Sequence, residues 1–131
     1  SQLNRANIGI IRRREIAEKY YNSFKDSDFI KGQSGVIEGH AYHLYVITLK
    51  LDELNKTHEQ IFNGLKKRGL GINIHYIPVH LHPFYRRMGF KEGDFIEAEK
   101  YSKSAISIPL HPQLSLDQQD FVIKSLADEL S

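Results

Sequence analysis

Residues 43–50 read HLYVITLK, a run rich in β-branched and aromatic side chains and apolar at both parities for most of its length. A strand with one wet face alternates, so this run predicts a central strand covered on both sides. Around it the apolar period changes. Upstream, Leu3, Ala6, Ile10, Ala17, Tyr20, Tyr21 and Phe24 recur at three-, four- and seven-residue spacings, which predicts one long N-terminal helix with Ser1 as a candidate cap. Lys25 to Gln33 is polar and turn-like, and Val36-Ile37-Glu38, set between Gly35 and Gly39, predicts a short strand. Downstream, Thr57-His58-Glu59-Gln60 has the capping-box pattern and opens a helix through Ile61, Phe62 and Leu65 that stops at Gly69.

Beyond Gly71, INIHYI alternates: Ile72, Ile74 and Tyr76 on one side, Asn73 and His75 on the other, which predicts a further strand. Pro78 lacks an N–H and ends any ladder there. A short helix or turn is expected at Phe84 to Met88, closed by Gly89, and a helix at about Asp94 to Ser104. Ile106-Ser107-Ile108 predicts a strand before Pro109. Ser115-Leu116-Asp117-Gln118 is a second capping box, followed by a helix with Ile123, Leu126, Ala127 and Leu130 on one face. The order α-β-β-α-β-α-α-β-α predicts an α+β fold, one small sheet packed with helices in two layers. Neither GxGxxG nor GxxxxGK[ST] occurs, so phosphate binding by those loops has no support.

At 131 residues the chain suits one core rather than two domains. Its 18 basic and 16 acidic side chains leave a net charge of +2, too small to argue for nucleic acid. The basic clusters Arg12-Arg13-Arg14, Lys66-Lys67-Arg68 and Arg86-Arg87 read as solvated helix faces or helix C-termini. There is no cysteine, which removes disulfides and thiolate metal sites. No apolar run approaches the ~20 residues of a bilayer span, and no signal peptide is legible, so a soluble, cytoplasmic protein is expected.

The chemistry concentrates in NIHYIPVHLHPFY, Asn73 to Tyr85, where His75, His80 and His82 fall close together with two prolines and no acid. Three histidines with an open fourth position can hold zinc. Against that, Pro78 separates His75 from the other two, and no carboxylate is evidently placed behind them. There is no cysteine or G-x-S-x-G for a nucleophilic site. The acids Asp52-Glu53, Glu97-x-Glu99 and Asp128-Glu129 read as solvated helix faces rather than paired catalytic carboxylates. The remaining readings are a strand and stiff loop packed on the core, or one wall of a binding site whose other wall is elsewhere.

Three phrases resemble one family across essentially the whole chain. SQL at Ser1 to Leu3, followed by RRREIAEKYY at Arg12 to Tyr21, resembles an interdomain helix after a Gly-x-x-Gln-Leu segment. GLGINIHYIPVHLHPFYRRMGF, Gly69 to Phe90, resembles a Gly-Ile strand leading into HY-x-P-x-H and a P-x-Y turn. YSKSAISIPLHPQLSLDQQDFVI, Tyr101 to Ile123, resembles a closing helix, short strand and final helix. Together they are similar to the C-terminal small domain of the DegT/DnrJ/EryC1/StrS family of sugar-nucleotide aminotransferases, with wording near that of UDP-4-keto-sugar transaminases of the pseudaminic-acid type.

The resemblance implies a small, mostly antiparallel sheet packed with helices: the C-terminal domain of a type I pyridoxal 5′-phosphate fold. Residues 1–24 would form the interdomain helix and 25–131 a substrate-side domain, cut from a longer chain. The Schiff-base lysine and phosphate-binding residues would lie in an absent large domain, and Lys66, Lys67 and Lys103 would be surface residues. Glutamate would be the amino donor, a nucleotide-linked keto sugar the acceptor, and the intact enzyme a homodimer serving glycan biosynthesis. By the same resemblance, Asn73, Ile74, His75 and Tyr76 would line the substrate pocket. His80 would face the sugar, and Tyr85 and Phe90 would contribute from the following turn. The alternatives are a dehydratase of the same family, a free-standing α+β binding module and a histidine metal-binding domain.

Overall fold

In a computed structural model the chain is described at residues 2–33, 35 and 37–131, with side chains from Ala6 onward at those positions. The elements run α1 (Gln2–Phe24), β1 (Ile30–Lys31), β2 (Tyr45–Leu49), α2 (His58–Lys67), α3 (Pro83–Arg87), α4 (Ile96–Ser104), β3 (Ala105–Ile108) and α5 (Leu116–Leu130). The sheet has the order β1-β2-β3, so the HLYVITLK strand is central, as its composition predicts. Both pairings are antiparallel, with Ile30 opposite Leu49 and Ile47 opposite Ile106. The architecture is α+β.

One face of the sheet carries Tyr45, Ile47, Leu49, Ile106 and Ile108. These pack with Ile16, Ala17, Tyr20 and Phe24 of α1, Ile61 and Leu65 of α2, and Val122, Leu126 and Leu130 of α5. Burying one such aliphatic side chain contributes roughly 1.5–3 kcal/mol, so this interlock dominates the fold. On the other face Val46 and Thr48 share a cleft with Tyr101 of α4. Both capping boxes form, Thr57 with Gln60 and Ser115 with Gln118, and they fix where α2 and α5 begin.

Side-chain-to-backbone hydrogen bonds connect distant parts of the chain. Gln119 Nε2 donates to the Ile16 carbonyl at 2.8 Å, and the Tyr20 hydroxyl donates to the Pro109 carbonyl at 2.8 Å. Arg12 donates to Leu114 O, Arg13 to Tyr42 O and His43 O, and Arg14 to His40 O. These arginines are therefore cross-links, not the solvated face their clustering suggests. Each guanidinium is long enough to reach a loop carbonyl that has no partner within its own strand or helix.

Several other expectations change. INIHYI is not a strand; only Asn73 bridges Ser107, and the segment then runs as irregular backbone to a 3-10 turn at Val79–Leu81. Ile72 is buried, but Ile74 and Tyr76 are exposed, so the alternation does not persist past the bridge. Of the strand expected at Val36-Ile37-Glu38, Val36 lies outside the described residues, and Ile37 and Glu38 are loop and turn. The turn is closed by His40 N–H on Ile37 O, and the Tyr42 hydroxyl takes the Ile37 N–H. Ile30–Lys31, inside the stretch read as a turn, pairs as β1. Ala6 is exposed, while the side chain of Leu3 and the cap at Ser1 lie outside the described residues.

Two acids read as solvated are buried. Glu99 is covered by the segment 91–95. Glu129 sits between Lys56 Nζ at 2.8 Å and Arg68 Nε at 3.0 Å, beside Gly64, where a Cβ would overlap its carboxylate. Burial pushes the Glu129 carboxyl up, but the hydrogen bonds from Lys56 and Arg68 outweigh it and hold the group below the usual glutamate range. Among the described residues no helix is long and apolar enough to cross a membrane.

Candidate functional site

The candidate residues fall into two neighbouring groups. The first is built on β3. Asn73 N–H donates to Ser107 O at 3.1 Å, and Ser107 N–H donates to Asn73 O at 2.8 Å. Two residues on, His75 Nδ1 lies 2.8 Å from Ser107 Oγ. Asn73 and Ile74 are exposed and His75 is half-buried, with the Tyr76 ring 4.7 Å from the His75 ring. Its one bridge to the sheet makes Ser107 the anchor of the segment.

The second group is built on α4. His80 is buried and its Nε2 lies 2.8 Å from Glu99 Oε1. The same carboxylate accepts from Gly93 N–H at 2.9 and 3.1 Å and from Phe95 N–H at 3.4 Å. The His80 hydrogen bond lowers the Glu99 carboxyl; burial raises it, and the Gly93 and Phe95 N–H groups lower it further, so the net direction is down. A carboxylate with three donors is a stable hub for a turn that has little regular structure of its own.

Around this hub Val79, His80, Tyr85, Phe90, Phe95 and Ala98 enclose an open, mainly apolar cavity of about 390 Å³. Tyr85 and Phe90 meet edge-on with centroids 6.3 Å apart, and the His80 and Phe95 rings lie tilted at 4.8 Å. Tyr76, Ile77, Val79, Phe84, Met88 and Phe95 are all at least half exposed, an apolar wall open to one side. Exposed apolar side chains concentrated in one segment of a small domain are what a face that meets another surface presents.

His80, Tyr85 and Phe90 thus share one cavity, whereas Asn73 and His75 share the Ser107 anchor. Ile74 and Tyr76 are exposed beside the latter. The three histidines turn to three different partners: His75 to Ser107, His80 to Glu99, and His82 Nε2 to the Ile77 carbonyl at 3.1 Å. Among the described residues no group of three or more His, Asp or Glu side chains is placed to hold a metal ion. Ser107, Glu99 and Phe95 were not singled out by the sequence. Their partners are distant in the chain, and a serine inside an apolar strand is the one local hint.

Pyridoxal phosphate needs a lysine amine and a phosphate cradle. No lysine lines the cavity at His80. Lys103 pairs with Glu92 at 2.6 Å and Lys66 lies over the Phe62 ring, both on the surface. The described residues therefore do not fit the cofactor by themselves, and no cofactor step is derived from them.

Comparison with known proteins gives a consistent picture. The chain is 36% identical over 130 residues to the spore coat polysaccharide biosynthesis protein SpsC of Bacillus subtilis, covering 97% of the chain and 33% of SpsC. It is 36% identical over 127 residues to the uncharacterized protein MJ1066 of Methanocaldococcus jannaschii, covering 95% of the chain and 33% of that protein. The fold superposes with a TM-score of 0.88 on Helicobacter pylori PseC, an aminotransferase involved in the biosynthesis of pseudoaminic acid. Identity there is 26%, covering 99% of the chain and 35% of PseC. The chain thus spans about a third of the length of the curated relatives it matches. Residues 1–127 match one family throughout, and on that match the chain belongs to the DegT/DnrJ/EryC1/StrS aminotransferase family.

Proposed function

We propose that this chain is the substrate-side small domain of a pyridoxal phosphate-dependent sugar-nucleotide aminotransferase. The acceptor is a nucleotide-linked keto sugar of the UDP-4-keto-6-deoxy type, and the donor is glutamate. Family membership supports amino transfer, and the names of SpsC and PseC point to sugars and polysaccharides. The observation that carries the reading is the pairing of exposed Asn73 and half-buried His75 on Ser107, near apolar side chains that stay exposed among the described residues. Polar groups held rigidly at the edge of an apolar surface orient a polar ligand at low entropic cost.

In this reading residues 1–24 join the domain to a larger one, and 25–131 close the sugar side of the cleft. The larger domain supplies the cofactor lysine and phosphate cradle, and when bound the cofactor supplies the electron sink for amino transfer. Asn73 and His75 bind the nucleotide sugar through their side chains, with Ile74 and Tyr76 as contact surface. His80, held on Glu99, shapes the cavity that Tyr85 and Phe90 close. The enzyme works as a cytoplasmic homodimer in glycan biosynthesis.

The test is kinetic, in the longer polypeptide that carries this chain. Asn73→Ala and His75→Ala each remove ordinary hydrogen bonds worth roughly 0.5–1.5 kcal/mol. The KM for the nucleotide sugar should rise roughly two- to tenfold, with kcat largely kept. Unchanged KM in both variants would remove this segment from the substrate site.

A further inference from the structure

Ser107 lies in a strand whose four residues are all buried, where a hydroxyl is costly unless it is hydrogen-bonded. Its backbone pairs with Val46 on one side and exchanges both bonds with Asn73 on the other. Directly paired residues send their side chains to the same face, so Asn73 and Ser107 share one face at the bridge. Just beyond the bridge, where the backbone is irregular, His75 Nδ1 lies 2.8 Å from Ser107 Oγ. One residue therefore sets both polar members of the segment, Asn73 through the backbone and His75 through the hydroxyl.

The direction of that hydrogen bond follows from counting donors. Among the described residues, His75 Nδ1 is the only side-chain partner of Ser107 Oγ. If the ring donated to the hydroxyl, the Ser107 proton would be left buried with no acceptor. If the hydroxyl donates to Nδ1, both atoms are satisfied and the neutral ring carries its proton on Nε2. His75 Nε2 has no partner among the described residues and is not a buried orphan, so it reaches solvent.

We propose that Ser107 is a positioning residue that locks His75 in its Nε2–H form and aims that N–H outward as a donor to a ligand oxygen. The ligand part rests on the nucleotide-sugar reading above, since hydroxyl, carbonyl and phosphate oxygens of such a molecule all accept hydrogen bonds. The lock itself belongs to the ligand-free chain. An imidazole fixed this way presents a donor of defined direction, with the tautomer set by the hydrogen bond at the other nitrogen.

Ring-nitrogen shifts of the 15N-labelled chain, recorded above the ordinary histidine range and assigned with His75→Gln, test the lock. The wild type should show one tautomer at His75, protonated at Nε2. Ser107→Ala should give shifts averaged between two tautomers, and Ser107→Thr, which keeps the hydroxyl, should restore one. The Asn73 amide should stay protected in Ser107→Ala, because its acceptor is backbone. A wild-type ring protonated at Nδ1, or Ser107→Ala shifts identical to wild type, would overturn the lock. Because no ligand is present, these outcomes do not depend on whether a nucleotide sugar binds. In the longer enzyme, Ser107→Ala should raise the KM for the nucleotide sugar several-fold, and Ser107→Thr should recover it. An unchanged KM with the tautomer lost would remove the ligand from the proposal.

Discussion

His80 Nε2 lies 2.8 Å from Glu99 Oε1, and both side chains are buried at the base of the aromatic cavity. The pair does two things. It orients His80, and through Gly93 and Phe95 it ties the segment 91–95 to α4. Between the 3-10 turn at Val79–Leu81 and α4 the described backbone has only the short helix α3, so this carboxylate replaces regular structure as the organiser of the cavity.

Glu99→Gln keeps the shape and an acceptor at the Oε1 position, but loses the charge and turns the second oxygen, 3.1 Å from Gly93 N, into a donor facing that N–H. Hydrogen exchange at the Gly93 amide should accelerate several-fold, the effect of weakening a charge-assisted, two-acceptor hydrogen bond to a single neutral one. Protection in β2 and β3 should be unaffected. Uniform acceleration across the chain would mean that Glu99 holds the whole fold rather than this segment.

Glu99 and Glu129 both have depressed carboxyls in the folded chain. A group held below its unfolded value contributes stability above that value and loses it as pH falls through the folded one. The melting temperature should therefore fall as pH drops below the ordinary glutamate range, about 4.3. Glu129→Gln should be less stable than wild type at neutral pH, and the gap should shrink on acidification. A gap that stays constant with pH would contradict the charge-based account of Glu129.

Gly64 lies inside α2, where alanine normally stabilises a helix by about 1 kcal/mol. Here the added Cβ would overlap the Glu129 carboxylate, which Lys56 and Arg68 hold in place. Gly64→Ala should reverse the usual sign and destabilise by about 1–3 kcal/mol in chemical denaturation, the range for overpacking a fixed site. A stabilised variant would show that Glu129 can move aside without loss.

The legible parts of the fold were local. Thr57 with Gln60, and Ser115 with Gln118, place the starts of α2 and α5 because both partners lie within four residues. HLYVITLK is legible as the central strand because its β-branched and aromatic residues suit a pleat with one buried face, Tyr45, Ile47 and Leu49, and one half-buried face, Val46 and Thr48. INIHYI misled because alternation reports which way side chains point, while pairing needs a neighbour. Only Asn73 has one; beyond it the chain leaves β3 and turns at Pro78 into the 3-10 segment. Glu99 and Glu129 misled because their partners, His80, Lys56 and Arg68, are remote in sequence and leave no periodic trace. The candidate residues stand out in the sequence by type, whereas their division between the Ser107 anchor and the Glu99 hub depends on long-range contacts and leaves no local signal.

The central claim is that this domain serves amino transfer to a nucleotide-linked keto sugar. The direct measurement is the reaction of the longer polypeptide carrying this chain, with pyridoxal phosphate, glutamate and a UDP-4-keto-6-deoxy sugar. The account predicts equal amounts of 2-oxoglutarate and UDP-linked amino sugar. It also predicts that residues 1–131 alone give neither product. No amino sugar from the longer polypeptide, with any of the UDP-, dTDP- or GDP-linked keto sugars, would contradict it.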